Sequence, residues 1–280
     1  MSGRTAALTL VAVALAAAPA GAQSSAPACH RRVAVIGAAY VGGWALAAAF
    51  HPQEWWQGHP GAFRLNWSEG PSPAVGQDYL LHVGASYEAS QAAALGWEWA
   101  CVPHGTAIWL GAATAFAVGL PKKVVDGFHH TGFEVAKNLA NAVGALVPVV
   151  HETWPATRAV ALKGFYFPSA EYRNRGGGEP TSPLLDYAGQ RYYLSLNPAR
   201  GGRNVAWWPR WLGVAVGHSA TARIADPPAR HIWFATLDLE FRGLPVRGAL
   251  WRRVAAVLDQ VHVPAPGVRL MDGRVSLGIF

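Results

Sequence analysis

The chain has 280 residues, of which 51% are hydrophobic and only 14% are charged, against roughly 25% charged residues in an ordinary soluble domain. This shortage of charge disfavours an ordinary water-soluble catalytic domain and favours a membrane-associated or tightly packed helical protein. The net charge of +7 is uneven: residues 1–157 carry −1 and residues 158–280 carry +8. A basic second half suits anionic lipid or glycan.

The N-terminal residues predict export. Arg4 is a short basic region, residues 6–18 are apolar, and Ala20-Gly21-Ala22 forms an A-x-A cleavage site, so residues 1–22 are expected to be a signal peptide. The apolar run is too short for a membrane span. We therefore expect a protein of the bacterial periplasm that is associated with a membrane, and we expect no nucleic-acid partner.

The chain contains two cysteines, Cys29 and Cys101. In an oxidising compartment they could form a disulfide, or they could be two separate buried thiols, and the sequence leaves both interpretations open. Two cysteines with scattered histidines do not make a zinc motif. We expect no metal and no cofactor.

Residues 33–155 are predicted to form an apolar, membrane-compatible helical bundle. Residues 33–50 are uncharged and suit either a membrane segment or a buried helix. Further helices are predicted over 78–97, 104–120 and 133–150, the second ending at Pro121. That helix carries small residues at four-residue spacing, which lets another helix approach closely.

Residues 156–183 are predicted to be a linker, and residues 184–280 a basic β-rich domain. Alternating apolar and polar residues predict strands over 191–197, 212–217, 231–241 and near the C-terminus. We expect each strand to bury one face. An apolar stripe on residues 246–261 predicts an amphipathic helix that covers the sheet. The predicted fold class is α+β: a helical bundle, then an antiparallel β-meander with one covering helix.

Several segments resemble the YfiM-like family of predicted periplasmic lipoproteins of unknown function. The first block is Asp78 to His82 followed by Ser86-Tyr87. The second contains Asp126-Gly127-Phe128, Gly132-Phe133 and Asn141 to Gly144, and residues 186–198 and 263–270 also match the long members. The helical blocks are distantly similar to VanZ-like membrane proteins. The resemblance implies an envelope protein and assigns it no activity.

This chain departs from the family pattern at three motif positions. Tyr79 stands where the family has Lys, Glu134 where it has Ser, and Lys137 where it has Asp. If the family residues formed an acid–base or metal site, this chain has altered it. The lysine lost at position 79 and gained at 137 could still keep an internal ion pair.

Four ionisable side chains are weak candidates for chemistry. Asp78 and His82 lie four residues apart and share a helix face, and Asp126 and His129 begin the next polar block. Together they could bind a metal or move a proton. The favoured interpretation is structural, since buried polar groups in a packed bundle must be hydrogen-bonded.

A basic aromatic segment follows the first predicted strand. It resembles an interfacial anchor, with rings at head-group depth and guanidinium groups on phosphates, and a solvated loop is equally consistent with it. Its residues are Arg200, Arg203, Arg210, Trp207, Trp208 and Trp211.

The sequence thus predicts a non-enzymatic, membrane-associated structural or binding protein of the envelope. Its expected partner is membrane lipid or another envelope component, and a protein partner stays open, as does the oligomeric state. The alternative is a membrane-associated enzyme or resistance-type factor that acts on lipid-linked or peptidoglycan substrates through the Asp78, His82, Asp126 and His129 cluster.

Overall fold

The structure is a computed structural model, and it describes residues 26–50, 60–67, 74–129, 131–174, 182–201, 205, 207–221 and 229–280. The predicted signal peptide and Arg203 lie outside the described residues. The α+β class with an antiparallel sheet is confirmed.

The described part of the first half contains four long helices: α1 (Ala26–Phe50), α2 (Gln77–Trp99), α3 (His104–Asp126) and α4 (Val135–Thr153). Two short strands, β1 (Leu65–Asn66) and β2 (Phe133–Glu134), pair in parallel before α4. Helix α3 continues through Pro121 instead of ending there. Its last turn is held by ion pairs of Lys122 and Lys123, which offset the hydrogen bond that proline removes.

Small residues bring these helices together. A Cβ atom added at Gly111 of α3 would lie 2.5 Å from the Ser90 carbonyl oxygen of α2. One added at Gly144 of α4 would overlap the Val83 carbonyl oxygen of α2. The backbones of α3 and α4 therefore both touch that of α2, as the small-residue spacing in α3 suggested.

A disulfide between Cys29 and Cys101 ties the start of α1 to the turn between α2 and α3. The Tyr40 hydroxyl donates to the Thr114 carbonyl oxygen farther along. Since Cys29 to Tyr40 and Cys101 to Thr114 are similar lengths of chain, α1 and α3 run side by side in the same direction.

Six strands lie in the second half, as far as its residues are described. They are β3 (Val160–Tyr166), β4 (Gln190–Leu196), β5 (Leu212–Ala220), β6 (His231–Leu239), β7 (Pro266–Met271) and β8 (Arg274–Ile279). They lie in chain order, each antiparallel to the next. Two short helices accompany them, α5 (Ala170–Asn174) and α6 (Ala249–Leu258). Strand β3 and helix α5 occupy residues predicted to be a linker.

The sheet curls until its two edges are close. The Gly164 amide of β3 donates to the Gln260 carbonyl oxygen at 3.1 Å, and the His262 amide donates to the Gly164 carbonyl oxygen at 3.0 Å. Three residues later, Ala265 and Phe280 exchange two backbone hydrogen bonds of 3.0 Å. Three residues span at most about 11 Å, so this segment bridges the first strand and the end of the last.

The two faces of the sheet are buried in the opposite sense from the expected one. Leu194 and Val216, paired across β4 and β5, are each 58% exposed, whereas Ser195 and Asp238 on the other face are nearly inaccessible. A small aromatic cluster around Tyr193 and Phe234 shares the inner face. The polar face is inside, and most of the apolar face is outside.

The apolar stripe predicted to cover the sheet is also exposed. Leu250 is 76% exposed and Val257 is 68% exposed, while the face of α6 that holds Ala255 is buried. The expectation that this stripe packs on the sheet was wrong, because the inner side of the curled sheet is already filled by its own polar and aromatic side chains.

Helix α2 connects the two halves through polar contacts. The Gln77 side-chain amide donates to the Gln190 carbonyl oxygen at 2.9 Å, and its oxygen lies 2.8 Å from Nδ1 of His218. The other His218 nitrogen lies 3.0 Å from His231. Tyr192 packs so closely on Gly84 that a Cβ atom there would lie 2.9 Å from its ring.

Candidate functional site

The first family-like block lies at the contact between α2 and α4. His82 Nδ1 and Asn141 Oδ1 are 3.0 Å apart, and the Ser86 hydroxyl donates to the same oxygen at 3.0 Å. Tyr87 is buried and meets the His151 ring edge-on. These side chains hydrogen-bond and pack across two helices.

Burial lowers the pKa of His82 to about 4, and the positive charges of Lys123 and Lys137 add to the effect. The imidazole is therefore neutral near neutral pH. With Asn141 Oδ1 as its partner, Nδ1 is the protonated nitrogen and serves as a hydrogen-bond donor.

Lysines and carboxylates compensate one another beside His82. Lys137 Nζ lies 2.7 Å from Glu134 Oε1 and 3.6 Å from Asp78 Oδ2, and Lys123 forms an ion pair with the other Glu134 oxygen. Lys137 thus pairs with Asp78. The ion pairs of these two lysines and two carboxylates thus connect α2, α3 and α4.

The other two candidates are held separately. Asp126 pairs with Lys122 at 2.7 Å, and its backbone carbonyl accepts from the His129 amide at 2.9 Å. Asp126 Oδ1 and His129 Nδ1 are buried without a hydrogen-bond partner among the described residues. Asp78 and His82 therefore contact side chains of α4, whereas Asp126 forms an ion pair with Lys122 of α3.

The second family-like block packs around one aromatic ring. Phe63 meets Phe128 edge-on at 5.1 Å and Phe133 at 6.0 Å, and a Cβ atom at Gly127 would overlap the Phe63 ring. Gly132 has a φ of +73°, which disfavours a side chain at that position. These motif positions therefore have packing and backbone roles.

Within the described ranges, no group of three or more His, Cys, Asp or Glu side chains is placed to hold a metal ion.

A second polar cluster, missed in the sequence, fills the inside of the sheet. Lys163 is fully buried, with Nζ 2.7 Å from Asp238 Oδ2 and 3.1 Å from Glu240 Oε1. It also donates to the Leu239 carbonyl oxygen at 2.9 Å. The Ser195 hydroxyl donates to Asp238. We call these residues, with Arg200 and His262, the inner polar cluster.

His262 and Arg200 complete the inner polar cluster. His262 Nδ1 lies 2.8 Å from Asp238 Oδ1, and its ring stacks on Tyr193 with 3.8 Å between centroids. Arg200 lies 3.2 Å from Glu240 Oε1. Arg200, which was expected at a membrane interface, instead points toward the inside of the sheet, because its charge pairs with the buried Glu240 carboxylate.

The two carboxylates of the cluster respond differently to it. Burial raises the pKa of Asp238, but the hydrogen bond from His262 and the charge of Lys163 outweigh burial and lower it overall. For Glu240, burial dominates and raises the pKa, against the charges of Arg200 and Lys163. Asp238 is therefore the firmly ionised partner of Lys163.

Thr236, His262 and Asp238 stand in the order hydroxyl, imidazole and carboxylate. The Thr236 hydroxyl lies 3.3 Å from His262 Nε2. This order can activate a hydroxyl as a nucleophile, but Thr236 is only 6% exposed and His262 is fully buried. His262 Nε2 also lies 3.2 Å from the Phe280 carbonyl oxygen, so the arrangement is a buried hydrogen-bond network rather than an accessible catalytic group.

One feature of the sequence indicates the inner polar cluster. Lys163 is the single lysine in the otherwise arginine-rich residues 158–280. A lone lysine among alternating apolar residues suits a buried ion pair better than a solvated surface. Its partners lie more than 70 residues away, so their identity could not be read from spacing.

The basic aromatic segment is only partly exposed. Trp207 is 77% exposed and Trp211 42%, while the Trp208 indole donates to the Leu212 carbonyl oxygen at 2.6 Å. The backbone oxygen of exposed Arg210 accepts from the Asn197 side chain at 2.9 Å. Trp207, Trp211 and Arg210 are thus exposed, whereas the guanidinium of Arg200 is paired with Glu240.

Large apolar side chains instead cover the outside of both halves. On the helices, Leu139 is 64% exposed and Trp109 60%; on the sheet, Leu277 is 83% exposed. We call the sheet part the outer sheet face. Its exposed members are Leu194, Leu196, Val214, Val216, Trp233, Leu237, Leu270, Val275, Leu277 and Ile279. Such a large apolar surface marks an interaction site.

One described helix, α3, is long and apolar enough to cross a membrane, and only 22% of its most apolar 18-residue window is buried.

No family model, curated protein or solved structure matches the chain.

Proposed function

We propose that this chain is a non-enzymatic, exported envelope protein that binds a membrane through the apolar outsides of its helices and its sheet. The observation that carries the proposal is the inverted burial. In both halves, ion pairs and hydrogen bonds occupy the inside, while leucine, valine and tryptophan side chains point outward. Water disfavours this arrangement, and hydrocarbon favours it.

The proposal includes the finer organisation of the chain. The helices form a membrane-compatible bundle held by ion pairs of Asp78, Glu134 and the lysines around them. The strands form a meander whose outer sheet face meets lipid. The oxidised Cys29–Cys101 pair supports export, because disulfides persist in oxidising compartments.

Lipid fits these surfaces better than a single protein partner does. The exposed apolar residues lie on α3, on α4 and across the sheet, so they do not form one patch with a polar rim. A partner protein or a second copy would cover one such patch. The enzyme alternative gains nothing from the geometry, since Asp78 and His82 are already engaged in contacts between helices.

Vesicle flotation of the full chain after a carbonate wash tests the proposal. The test variant is Leu194→Ser/Leu277→Ser, because these side chains lie in one row of the outer sheet face. Each substitution should lower the partition constant roughly tenfold, since a leucine side chain contributes about 1.5–3 kcal/mol on leaving water. Leu184→Ser is the matched control, because Leu184 is 65% exposed but lies outside the strands.

Two outcomes would overturn the proposal. One is a full chain that stays in the soluble fraction with no vesicle binding. The other is a detergent-free chain that forms a discrete oligomer which the Leu194→Ser/Leu277→Ser variant dissociates, because a second copy would then cover the outer sheet face.

A further inference from the structure

A cleft of about 490 Å³ opens at the start of α1, beside the disulfide. It is lined by Pro27, Ala28, Arg31, Arg32, Val35 and Trp99. Two guanidinium groups therefore share a concave site with an indole ring and aliphatic side chains. Among the described residues, no carboxylate is paired with either arginine, so within this part of the chain the cleft presents two positive charges.

Arg32 is fixed in place at the wall of this cleft. One of its nitrogens donates to the Trp99 carbonyl oxygen at 2.9 Å, and its guanidinium carbon lies 5.3 Å from the Trp99 ring centre. A guanidinium held in this way loses little side-chain entropy when it binds an anion. Arg31, exposed beside it, adds a second forked donor of the kind that binds phosphate oxygens in pairs.

The cleft lies at one end of two parallel apolar helices. Beyond Arg31 and Arg32, residues 33–50 of α1 are uncharged, and residues 105–121 of α3 are uncharged beyond His104. At 1.5 Å per residue these stretches are about 25–27 Å long, close to the roughly 30 Å of a bilayer's hydrocarbon. The arginines therefore stand where an apolar layer gives way to charge.

The apolar wall of the cleft continues along α1. Val35, which lines the cleft, is 54% exposed, and the residues that follow it on the same helix face, Ala38, Ala39 and Gly42, are also exposed. A ligand with a phosphate at the arginines could extend an acyl chain over this surface. A free anion would use only the charged end.

We propose that this cleft binds the phosphate of an anionic phospholipid head group, with the acyl chains lying along α1. The inference rests on the proposed membrane association and adds the lipid class and the binding residues. It makes Arg31 a binding residue that contacts phosphate directly, and Arg32 a binding residue positioned by Trp99.

Co-sedimentation of the full chain with phosphatidylcholine vesicles, with and without phosphatidylglycerol, tests this inference. The wild type should bind the anionic vesicles more tightly. Arg31→Gln should reduce that binding about fivefold, as expected for one arginine at an anionic surface, and leave binding to neutral vesicles unchanged. Arg31→Lys should restore part of it. Arg274→Gln, at an exposed arginine of β8 far along the chain, is the matched control.

The outcomes separate this inference from the proposed function. Equal binding of wild type and Arg31→Gln to anionic vesicles would overturn the cleft assignment and leave membrane association standing. Absence of binding to either vesicle would remove both. If Arg31→Gln weakens the binding of inorganic phosphate in solution and leaves binding to anionic vesicles unchanged, the cleft is a site for a free anion and the lipid assignment is wrong.

Discussion

At the scale of single residues, Lys163 is the cation on which the inside of the sheet depends. It is fully buried and contacts both Asp238 and Glu240. Lys163→Met should lower the free energy of unfolding by about 3–5 kcal/mol, because it leaves two carboxylates with too little positive charge. Urea unfolding measures the change, and adding Glu240→Gln should recover part of it.

A surface ion pair provides the control for that measurement. Arg230 and Asp272 form an exposed pair, and Arg230→Met should cost less than about 1 kcal/mol. If Lys163→Met costs no more than Arg230→Met, the inner polar cluster does not stabilise the sheet.

The lowered pKa values of two buried histidines predict that the protein loses stability in acid. Burial lowers the pKa of His218 to about 4, and His82 is lowered to about 4 as well, against an ordinary value of 6.5. Between those values the unfolded chain binds more protons than the folded one. Stability from these histidines is therefore complete above pH 6.5 and is lost as the pH falls towards 4. Urea unfolding of wild type and His218→Gln across this range should give a shallower loss in the variant, and equal slopes would contradict the assignment.

The raised pKa of Glu88 predicts the opposite dependence of stability on pH, a loss as the pH rises. Burial raises its pKa from 4.5 to about 8, so the folded state favours the neutral carboxyl. The Gln260 amide, oriented to donate, lies 3.0 Å from Glu88 Oε1. The contribution of Glu88 to the free energy of unfolding therefore falls as the pH rises from 4.5 to 8. Glu88→Gln should therefore be more stable than the wild type at pH 8 and similar to it near pH 4. A less stable variant at pH 8 would show that the ionised carboxylate is the one the fold requires.

At the scale of elements, close helix contact depends on glycine. A side chain at Gly144 would overlap the Val83 carbonyl oxygen of α2. Gly144→Ala should destabilise the protein by about 1–3 kcal/mol, since α2 and α4 must separate. Gly105→Ala is the matched control, because nothing lies within 4 Å of its added Cβ, and it should be neutral or stabilising. Thermal unfolding compares the two, and equal effects would show that α2 and α4 can move apart freely.

The sequence could predict most elements but not which side of the sheet is inside. Alternation correctly located β4, β5 and β6, because strand side chains point to opposite faces in turn. Alternation alone does not say which face meets solvent, and we assumed that the apolar face would be buried. The polar face is inside because Ser195, Lys163, Asp238 and Glu240 neutralise one another across three strands. Those pairings join residues far apart in sequence.

Strand β3 was missed for a related reason. Lys163 at its centre and the glycine-rich residues that follow made 156–183 look like a linker. In the helical half, the glycine spacing and the lysine at position 137 were informative, since both concern contacts between predicted helices. The sequence could not show that the partner of Asp126 is Lys122, one turn before it.

At the scale of the whole molecule, the two halves share one pattern of burial. Each pairs its buried charges internally and leaves large apolar side chains outside, and the apolar surface of one half is not covered by the other. Their junction is correspondingly polar, with Gln77, Gln190 and His218 as its main hydrogen-bonding groups. Such a body can lie with both halves against the same apolar layer.

The attachment of α1 provides the last prediction. Besides the disulfide, Arg32 and Tyr40 make hydrogen bonds that attach α1 to the rest of the chain. The disulfide closes a loop with a sequence separation of 72, which corresponds to about 4 kcal/mol of loop-closure entropy. In Cys29→Ser/Cys101→Ser, α1 should leave α3 more often, so trypsin should cut after Arg31 and Arg32 much faster than in the wild type. Cleavage after Arg158, beyond the four helices, should keep its rate and serves as the internal reference. If cleavage at Arg31 and Arg32 is equally slow in both proteins, packing along Tyr40 and Thr114 holds α1 without the disulfide.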